Sequence, residues 1–236
     1  MMHLPRRGYS STARTSTEIL EAVFVWGPVC WNAVAMFWFV TDSSRPAATT
    51  REVVSGLAAQ AGVVVLFRDK RPDWDRRLLA DVARIAPRFV VNVGAESAAM
   101  AASFGALGWH APEDRWRALA SAPAGLLSVS DHDGDGLRFA EAKAIPFALV
   151  SPIWIEKGRS ARGPAAFAET SGVLQIALGG VRSRHESELA MASGAAGVAV
   201  QRAAYEARDP RALAVELLAP FGASRHARRV ATLLSD

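Results

Sequence analysis

Eight short apolar runs alternate with Ala- and Arg-rich stretches of helical spacing, and this alternation constrains the fold of the chain more than any other feature. Fully apolar strands that alternate with helices are typical of a parallel sheet covered on both faces. The predicted strands are FWFVT at 37–41, VVVLF at 63–67, FVVN at 89–92, LGW at 107–109, LLSVS at 126–130, FALVS at 147–151, VLQIAL at 173–178 and AGVAV at 196–200. The predicted helices are 49–60, 73–86, 96–104, 113–121, 136–143, 164–170, 184–193 and 210–219.

Eight strand–helix units favour a single (β/α)8 TIM barrel formed by residues 36–236. A doubly wound open sheet is the alternative, and it commonly carries a glycine fingerprint after its first strand. The segment Thr41-Asp-Ser-Ser-Arg-Pro46 contains no glycine, which favours the barrel.

Residues 1–35 are predicted to be an N-terminal extension, partly disordered or loosely attached, because their first part is rich in Arg, Ser and Thr. The uncharged run 22–40 is about long enough to cross a bilayer. Gly27, Pro28 and Asn32 interrupt this run, so we expect no membrane anchor. A further alternative is that Met36 is the functional start.

The composition argues against several kinds of site and partner. The chain has one cysteine, Cys30, so it can form neither an internal disulfide nor a cysteine-based zinc site. A reducing, cytoplasmic location is therefore expected. The net charge is +4, and the basic residues are spread along the chain without a dense block, so we expect no nucleic-acid partner. An oligomer is compatible with the sequence.

In a barrel of this kind, functional residues lie at the carboxyl ends of the strands. Strand seven is followed by Gly179-Gly180, and strand eight by Gln201-Arg202. Adjacent glycines let backbone N–H groups approach an anion, and helix N-termini favour negative charge. These four residues therefore predict a phosphate site, with a simple tight turn as the alternative explanation of the glycine pair.

Strand two ends in Arg68-Asp69-Lys70. Strand alternation places Arg68 and Lys70 on one face, where both could reach a bound polyanion, with Asp69 pointing away. An ordinary solvated loop is the alternative.

The order of several short motifs resembles the thiamine phosphate synthase/TenI family over residues 36 to about 210. The motifs are VTD at 40–42, RDK at 68–70, Asn92, Gly-x-x-Gly-x-His at 105–110, Ser-x-His at 130–132, Ser-Pro-Ile-Trp at 151–154, Ala-Leu-Gly-Gly-Val at 177–181 and Gly-Ala-Ala-Gly-Val-Ala-Val at 194–200. The resemblance implies a barrel of thiamine biosynthesis that binds a thiazole phosphate at the Gly-Gly site. In synthases of this family a pyrimidine diphosphate loses pyrophosphate with the help of Mg2+, and the thiazole nitrogen captures the methylene cation.

By the same resemblance, Arg68 and Lys70 match the diphosphate clamp, and Asn92 and Ser130 match substrate-binding positions. The synthase pattern has Asn-Asp after the third strand, but this chain has Asn92-Val93, so one magnesium carboxylate is missing. Asp114, beside Glu113, supplies the second. The Thr-rich phosphate loop after strand six is replaced by 155–162, which retains cations such as Lys157.

TenI-type members lack the magnesium carboxylate and resemble thiazole tautomerases, and His132 matches their proton carrier. Imidazole can give and take a proton near neutral pH. His110 is expected to be structural or to line the rim of the site. We therefore expect a synthase-type transferase, with a tautomerase or a non-catalytic phosphate-binding barrel of the same family as alternatives, each with small phosphorylated molecules as partners.

The segment Asp131-His-Asp-Gly-Asp-Gly136 imitates the first half of a calcium-binding loop. Position twelve of that loop needs a glutamate, but the chain has Ala142 there. A strand and not a helix precedes the segment, so we do not expect a calcium site.

Overall fold

The computed structural model describes residues 36–154, 160–167 and 173–221. Eight parallel strands form a closed barrel in the order β1 to β8, with β8 pairing back onto β1. The TIM barrel predicted from the alternation of apolar runs and helices is therefore confirmed, and the open sheet is excluded. The extension 1–35 lies outside the described residues.

The strands agree closely with the predicted apolar runs. They are β1 (Met36–Val40), β2 (Val63–Arg68), β3 (Phe89–Asn92), β4 (Gly108–Ala111), β5 (Leu126–Asp131), β6 (Phe147–Val150), β7 (Leu174–Leu178) and β8 (Gly197–Val200).

The helices lie outside the barrel, and two differ from the prediction. They are α1 (Ala47–Ala58), α2 (Arg76–Ile85), α3 (Ser97–Phe104), α4 (Glu113–Trp116), α5 (Asp135–Ala142), α6 (Arg184–Ala192), α7 (Arg202–Glu206) and α8 (Pro210–Leu218), with 3-10 turns at Gly94–Glu96 and Pro164–Ala166. The helix predicted at 113–121 ends at Trp116, where the backbone continues in bonds between residues three apart. The helix predicted at 164–170 is a 3-10 turn as far as it is described.

Alternating residues of each strand pack into two separate cores. Trp38, Val40 and Leu66 belong to a cluster that fills the inside of the barrel. Phe37 and Phe39 point the other way and pack with apolar residues of the helices. The apolar strands are therefore buried on both faces, as a parallel barrel requires.

Among the described residues, no helix is long and apolar enough to cross a membrane. The last five residues of the uncharged run 22–40 form β1, and the remainder lies outside the described ranges.

Closure of the barrel leaves no space for a side chain at Gly197. A Cβ there would collide with the backbone carbonyl oxygen of Met36 on the paired strand β1. We expect Gly197→Ala to lower the free energy of unfolding by about 1–3 kcal/mol, the usual cost of overpacking. Thermal or urea unfolding followed by circular dichroism measures this.

Gly56→Ala is the matched control. Gly56 lies inside α1, where an added Cβ meets only Pro210 atoms at 3.9 Å. Removing a helical glycine should raise the free energy of unfolding by about 0.5–1 kcal/mol. Equal effects of the two substitutions would contradict the steric account of closure.

Candidate active site

A cavity of about 1040 Å³ opens at the carboxyl ends of the strands, and residues at or just after the ends of all eight strands line it. This is the end at which barrels of this fold bind their ligands. The structure brings nearly all predicted site residues to this space: Arg68, Lys70, Asn92, Asp114, Ser130, His132, Gly179, Gly180, Gln201 and Arg202. Lys157 lies outside the described residues.

One side of the cavity is strongly cationic. Strands β7, β8, β1 and β2 are consecutive neighbours in the closed barrel. Among the described residues that line the cavity, the ends of these four strands and the segments that follow them supply five cations and one carboxylate, Asp42. The cations are Arg182, Arg202, Arg45, Arg68 and Lys70. We call these five the cationic half of the cavity.

The glycine pair after β7 adopts backbone angles that side chains rarely take, with φ of 96° at Gly179 and 81° at Gly180. A Cβ on Gly180 would lie 2.6 Å from the Trp154 Cβ. The backbone N–H of Trp154 also donates to the Gly179 carbonyl at 3.0 Å. The pair is therefore needed for the turn itself, whatever it also binds.

The segments after β7 and β8 differ in their details from the expected phosphate site. The helix α6 begins at Arg184 as predicted, but Glu186 in its first turn accepts hydrogen bonds from the backbone N–H groups of Arg182 and Ser183 at 2.6 and 2.7 Å. The Glu186 carboxylate thus occupies backbone donors at the helix N-terminus that was expected to favour a phosphate. After β8, a short helix α7, absent from the prediction, begins at Arg202 and presents that residue to the cavity.

At the end of β2, Thr41 fixes the backbone of Arg68. The Thr41 hydroxyl accepts from the Arg68 N–H at 2.8 Å and donates to its carbonyl at 3.1 Å. Asp69 is buried, does not line the cavity, and binds Arg71 at 2.6 Å. Burial opposes ionisation of Asp69, but hydrogen bonds from Arg71 and Asp75 outweigh it and hold its pKa below the ordinary value. Arg68 and Lys70 therefore face the cavity with Asp69 turned away.

The opposite side carries the two histidines of the cavity. His110 is 3% exposed, and its ring nitrogens lie 2.9 Å from Ser128 Oγ and 3.0 Å from Ser130 Oγ. Burial, with the positive charges of Arg68, His132 and Lys70, lowers the pKa of His110 to about 3. His110 is therefore a neutral hydrogen-bonding group that lines the cavity.

His132 is anchored through Nδ1. This atom lies 3.0 Å from both the carbonyl oxygen and the hydroxyl of Ser151. A carbonyl only accepts hydrogen bonds, so its contact favours the tautomer that carries the proton on Nδ1 and leaves Nε2 towards Glu113. Nε2 lies 4.0 Å from a carboxylate oxygen of Glu113.

Arg117, which the sequence analysis overlooked, positions Glu113. Its guanidinium binds Glu113, Asp133 and Asp135 at 2.8, 2.6 and 3.0 Å, and packs over the Trp116 ring. These three carboxylates raise the pKa of Arg117 above its ordinary value. The other Glu113 oxygen is thereby left towards His132.

The calcium-like segment 131–136 has a structural use. Asp131 is fully buried; its carboxylate accepts from the N–H groups of Gly134 and Leu137 and binds Arg162 at 2.8 Å. Asp133 and Asp135 bind arginines. Asp131 thus ties the described part of the loop after β6 to the end of β5.

The residues present do not fit a preformed magnesium site. Val93 is 5% exposed, packs in the core and does not line the cavity. Glu113 is bound by Arg117, and Asp114 is exposed at the rim. Within the described ranges, no group of three or more His, Cys, Asp or Glu residues could hold a metal ion.

Two further cavity cations, Arg45 and Arg182, were also missed by the sequence analysis. Both lie in strand-exit loops, Arg182 two residues after Gly180 and Arg45 three residues after Asp42. Their position just after a strand could have indicated that both arginines lie near the cavity. The sequence of a loop, however, does not determine the direction in which a side chain points.

The buried neutral state of His110 predicts a pH-dependent stability. Below its ordinary pKa of 6.5 the unfolded chain protonates this ring, whereas the folded chain does so only near pH 3. The contribution of His110 to the free energy of unfolding is constant above pH 6.5. As the pH falls below 6.5, His110 lowers that free energy by up to about 1.4 kcal/mol per pH unit. His110→Gln should reduce the pH dependence of the free energy of unfolding, measured by urea denaturation, between pH 6.5 and about pH 5.

The exposed His185 provides the control, since His185→Gln should leave this slope unchanged. The histidine ring NMR signals give a second readout, and His110 should remain neutral at about pH 5. A His110 ring that titrates near 6.5 would contradict the assignment.

No family model matches the chain. A protein of Geobacter sulfurreducens, provisionally named a thiamine-phosphate synthase, is 31% identical over 183 residues, which cover 71% of this chain and 84% of the relative. Among solved structures, thiamine phosphate pyrophosphorylase from Pyrococcus furiosus superimposes with a TM-score of 0.61 at 18% identity, covering 81% of this chain and 96% of that protein.

Other barrels are similar in fold at lower scores. Tryptophan synthase of Mycobacterium tuberculosis has a TM-score of 0.58 at 18% identity, covering 88% of this chain and 98% of that one. A geranylgeranylglyceryl phosphate synthase of Thermoplasma acidophilum has a TM-score of 0.53 at 10% identity, and the match covers 88% of this chain and 98% of that one. Structural likeness at these identities shows the fold alone. The sequence match with the Geobacter protein shows the family: the chain belongs to the thiamine-phosphate synthase family.

Proposed function

We propose that the protein is a transferase of thiamine biosynthesis that joins a hydroxymethylpyrimidine diphosphate to a thiazole phosphate and releases pyrophosphate. The observation that carries the proposal is the cationic half of the cavity, where five cations face one space. Two phosphorylated substrates bring several negative charges to one site, and positive side chains at fixed positions compensate that charge.

The thiazole phosphate is assigned to the end of β7 and β8. Gly180 there brings its backbone close to the cavity without a side chain, and Gln201, Arg202 and Arg182 surround the same region. Because Glu186 occupies the amides at the start of α6, the side chains of these arginines carry most of the phosphate binding.

The diphosphate is assigned to Arg68 and Lys70, with Asn92 beside them on the neighbouring strand β3. In the reaction the bond between the pyrimidine methylene carbon and the diphosphate oxygen breaks, and the thiazole nitrogen forms a bond to that carbon. The leaving oxygens gain negative charge as the bond breaks. Cations already in place stabilise that charge most where it develops.

The opposite side of the cavity suits the uncharged rings of the substrates. The neutral His110 and Ser130 offer hydrogen-bond donors and acceptors without adding charge, and Leu149 at the end of β6 adds apolar surface. A neutral heterocycle can therefore lie between this side and the cationic half.

We also propose that the protein is cytoplasmic, as expected from the sequence.

Purified protein incubated with both substrates should form thiamine phosphate, quantified by chromatography in parallel with Mg2+ and with a chelator. Lys70→Ala should lower the rate by about 100-fold, the usual effect of removing one group that stabilises transition-state charge. Lys143→Ala is the matched control, because Lys143 is exposed and does not line the cavity. Full activity of Lys70→Ala would exclude its role in the clamp.

A tautomerase that moves a proton on the thiazole phosphate is the second candidate. The specific observation in its favour is His132, whose Nδ1 is held by Ser151 while its Nε2 lone pair is available beside Glu113. An imidazole that is anchored through Nδ1 can accept and return a proton at Nε2, which is the chemistry that a tautomerase needs.

For the tautomerase, His132→Ala should abolish proton exchange at the thiazole in deuterated water, followed by NMR, and leave binding of the thiazole phosphate within about two-fold, since the phosphate sites lie elsewhere in the cavity. His185→Ala serves as the control. Unchanged exchange in His132→Ala would exclude this role. Binding without either reaction would favour the non-catalytic barrel.

A further inference from the structure

Arg45, in the loop after β1, is a residue of the cationic half to which the family resemblance assigns no role. This loop runs from Thr41 to Pro46 and places Arg45 at the cavity. Since β1 pairs with both β8 and β2, this loop lies between the exit that carries Arg202 and the exit that carries Arg68 and Lys70. Arg45 therefore stands between the regions assigned to the phosphate and to the diphosphate.

The conformation of this loop is fixed by several hydrogen bonds. The Arg45 N–H donates to the Asp42 carbonyl at 3.0 Å and closes a turn. The Asp42 carboxylate accepts from the backbone N–H and the hydroxyl of Ser44 at 3.0 and 2.7 Å. A short turn bonded in this way gives Arg45 a defined starting point, so less conformational entropy is lost when its side chain binds an anion.

Tyr205 connects this turn to the helix that carries Arg202. The Tyr205 hydroxyl oxygen accepts from the Asp42 N–H at 3.0 Å and lies 3.0 Å from the Thr50 hydroxyl. The Arg45 guanidinium lies over the Tyr205 ring, 5.5 Å from its centroid. One side chain of α7 thus holds both ends of the turn, and it couples Arg45 to the end of β8.

Within the described part of the chain, the same cavity does not bring together the ligands of a preformed magnesium site. Val93 is in the core, Glu113 is bound to Arg117, and Asp114 stands at the rim. A diphosphate needs compensating positive charge from some source, and arginine supplies it with several directed donors.

We propose that the cationic half binds the diphosphate group directly, without a divalent cation, and that Arg45, positioned by Tyr205, is an anion-binding residue for it. The inference rests on the diphosphate substrate of the proposed function. It adds a requirement that the family resemblance does not contain, because the resemblance implies binding assisted by Mg2+.

Isothermal titration of the full chain with inorganic diphosphate tests the proposal, with a chelator in one series and Mg2+ in the other. The affinity of the unaltered protein should agree within about two-fold between the series. Arg45→Ala should weaken binding in chelator by about tenfold or more, the range for loss of a charge-assisted hydrogen bond. Tyr205→Phe should weaken it less, because the ring beneath Arg45 stays while the bond to Asp42 is lost.

Arg51→Ala is the matched control. Arg51 lies on α1, pairs with Asp81 and does not line the cavity, so its replacement should leave the affinity unchanged. Thermal unfolding of each variant separates loss of binding from loss of folding. Binding that requires Mg2+, absence of diphosphate binding in both series, or equal affinities of folded Arg45→Ala and Arg51→Ala would each overturn the proposal.

The coupling assay separates this inference from the proposed function. Thiamine phosphate formed by a protein that binds diphosphate only with Mg2+ supports the transferase and overturns metal-free binding. Metal-free binding that depends on Arg45, without formation of product, supports the inference and overturns the transferase.

Discussion

Pairing between the first and last strands decides which side chains meet in the cavity. β8 hydrogen-bonds β1 from Met36–Gly197 to Phe39–Val200, and this contact joins two exits that are far apart in sequence. Arg45 and Arg202 become neighbours on the rim only because the barrel closes here. The absence of a Cβ at Gly197 permits that closure. The charge distribution of the site is thus a consequence of backbone packing at one strand pair.

The fold was predictable because its signal is local. β3 is four consecutive apolar or buried residues, and its predicted bounds 89–92 are those of the structure. The helix α7 was not predicted, since five residues contain too few turns to display a period. The helix predicted at 113–121 was too long because its last residues form turns in which bonds span three residues.

The site was predictable only where a strand determines side-chain direction. Arg68 and Lys70 follow directly from β2, so alternation placed both towards the cavity and Asp69 away from it. Arg45 depends on its contact with Tyr205, and Arg117 depends on Asp133 and Asp135, which belong to another segment. Such contacts are set by tertiary packing, and no local spacing encodes them. The pair of Arg117 with Glu113, four residues before it, has the spacing of a helical ion pair and was visible in the sequence. The burial of Val93 in the core was likewise a tertiary result, although the missing carboxylate was visible in the sequence.

Two features of the cavity change its charge in the same direction. Val93 stands where the family pattern has a carboxylate, and Arg45 and Arg182 add positive charge beyond the predicted Arg68, Lys70 and Arg202. A divalent cation held by two carboxylates adds no net charge, so such a site attracts a diphosphate through the local field of the metal ion. The cationic half, whose described residues supply five cations and one carboxylate, has a permanent positive charge, since arginine stays protonated. This charge attracts an anion whether or not a metal ion is bound.

The neutral His110 and the His132–Glu113 pair lie across the cavity from the cationic half. The electrostatic field therefore has a direction, from one side of the barrel mouth to the other. A phosphorylated heterocycle, the substrate class of the proposed function, is polar in the same sense, so we expect this field to orient it with its phosphate groups towards the arginines and its ring towards the histidines.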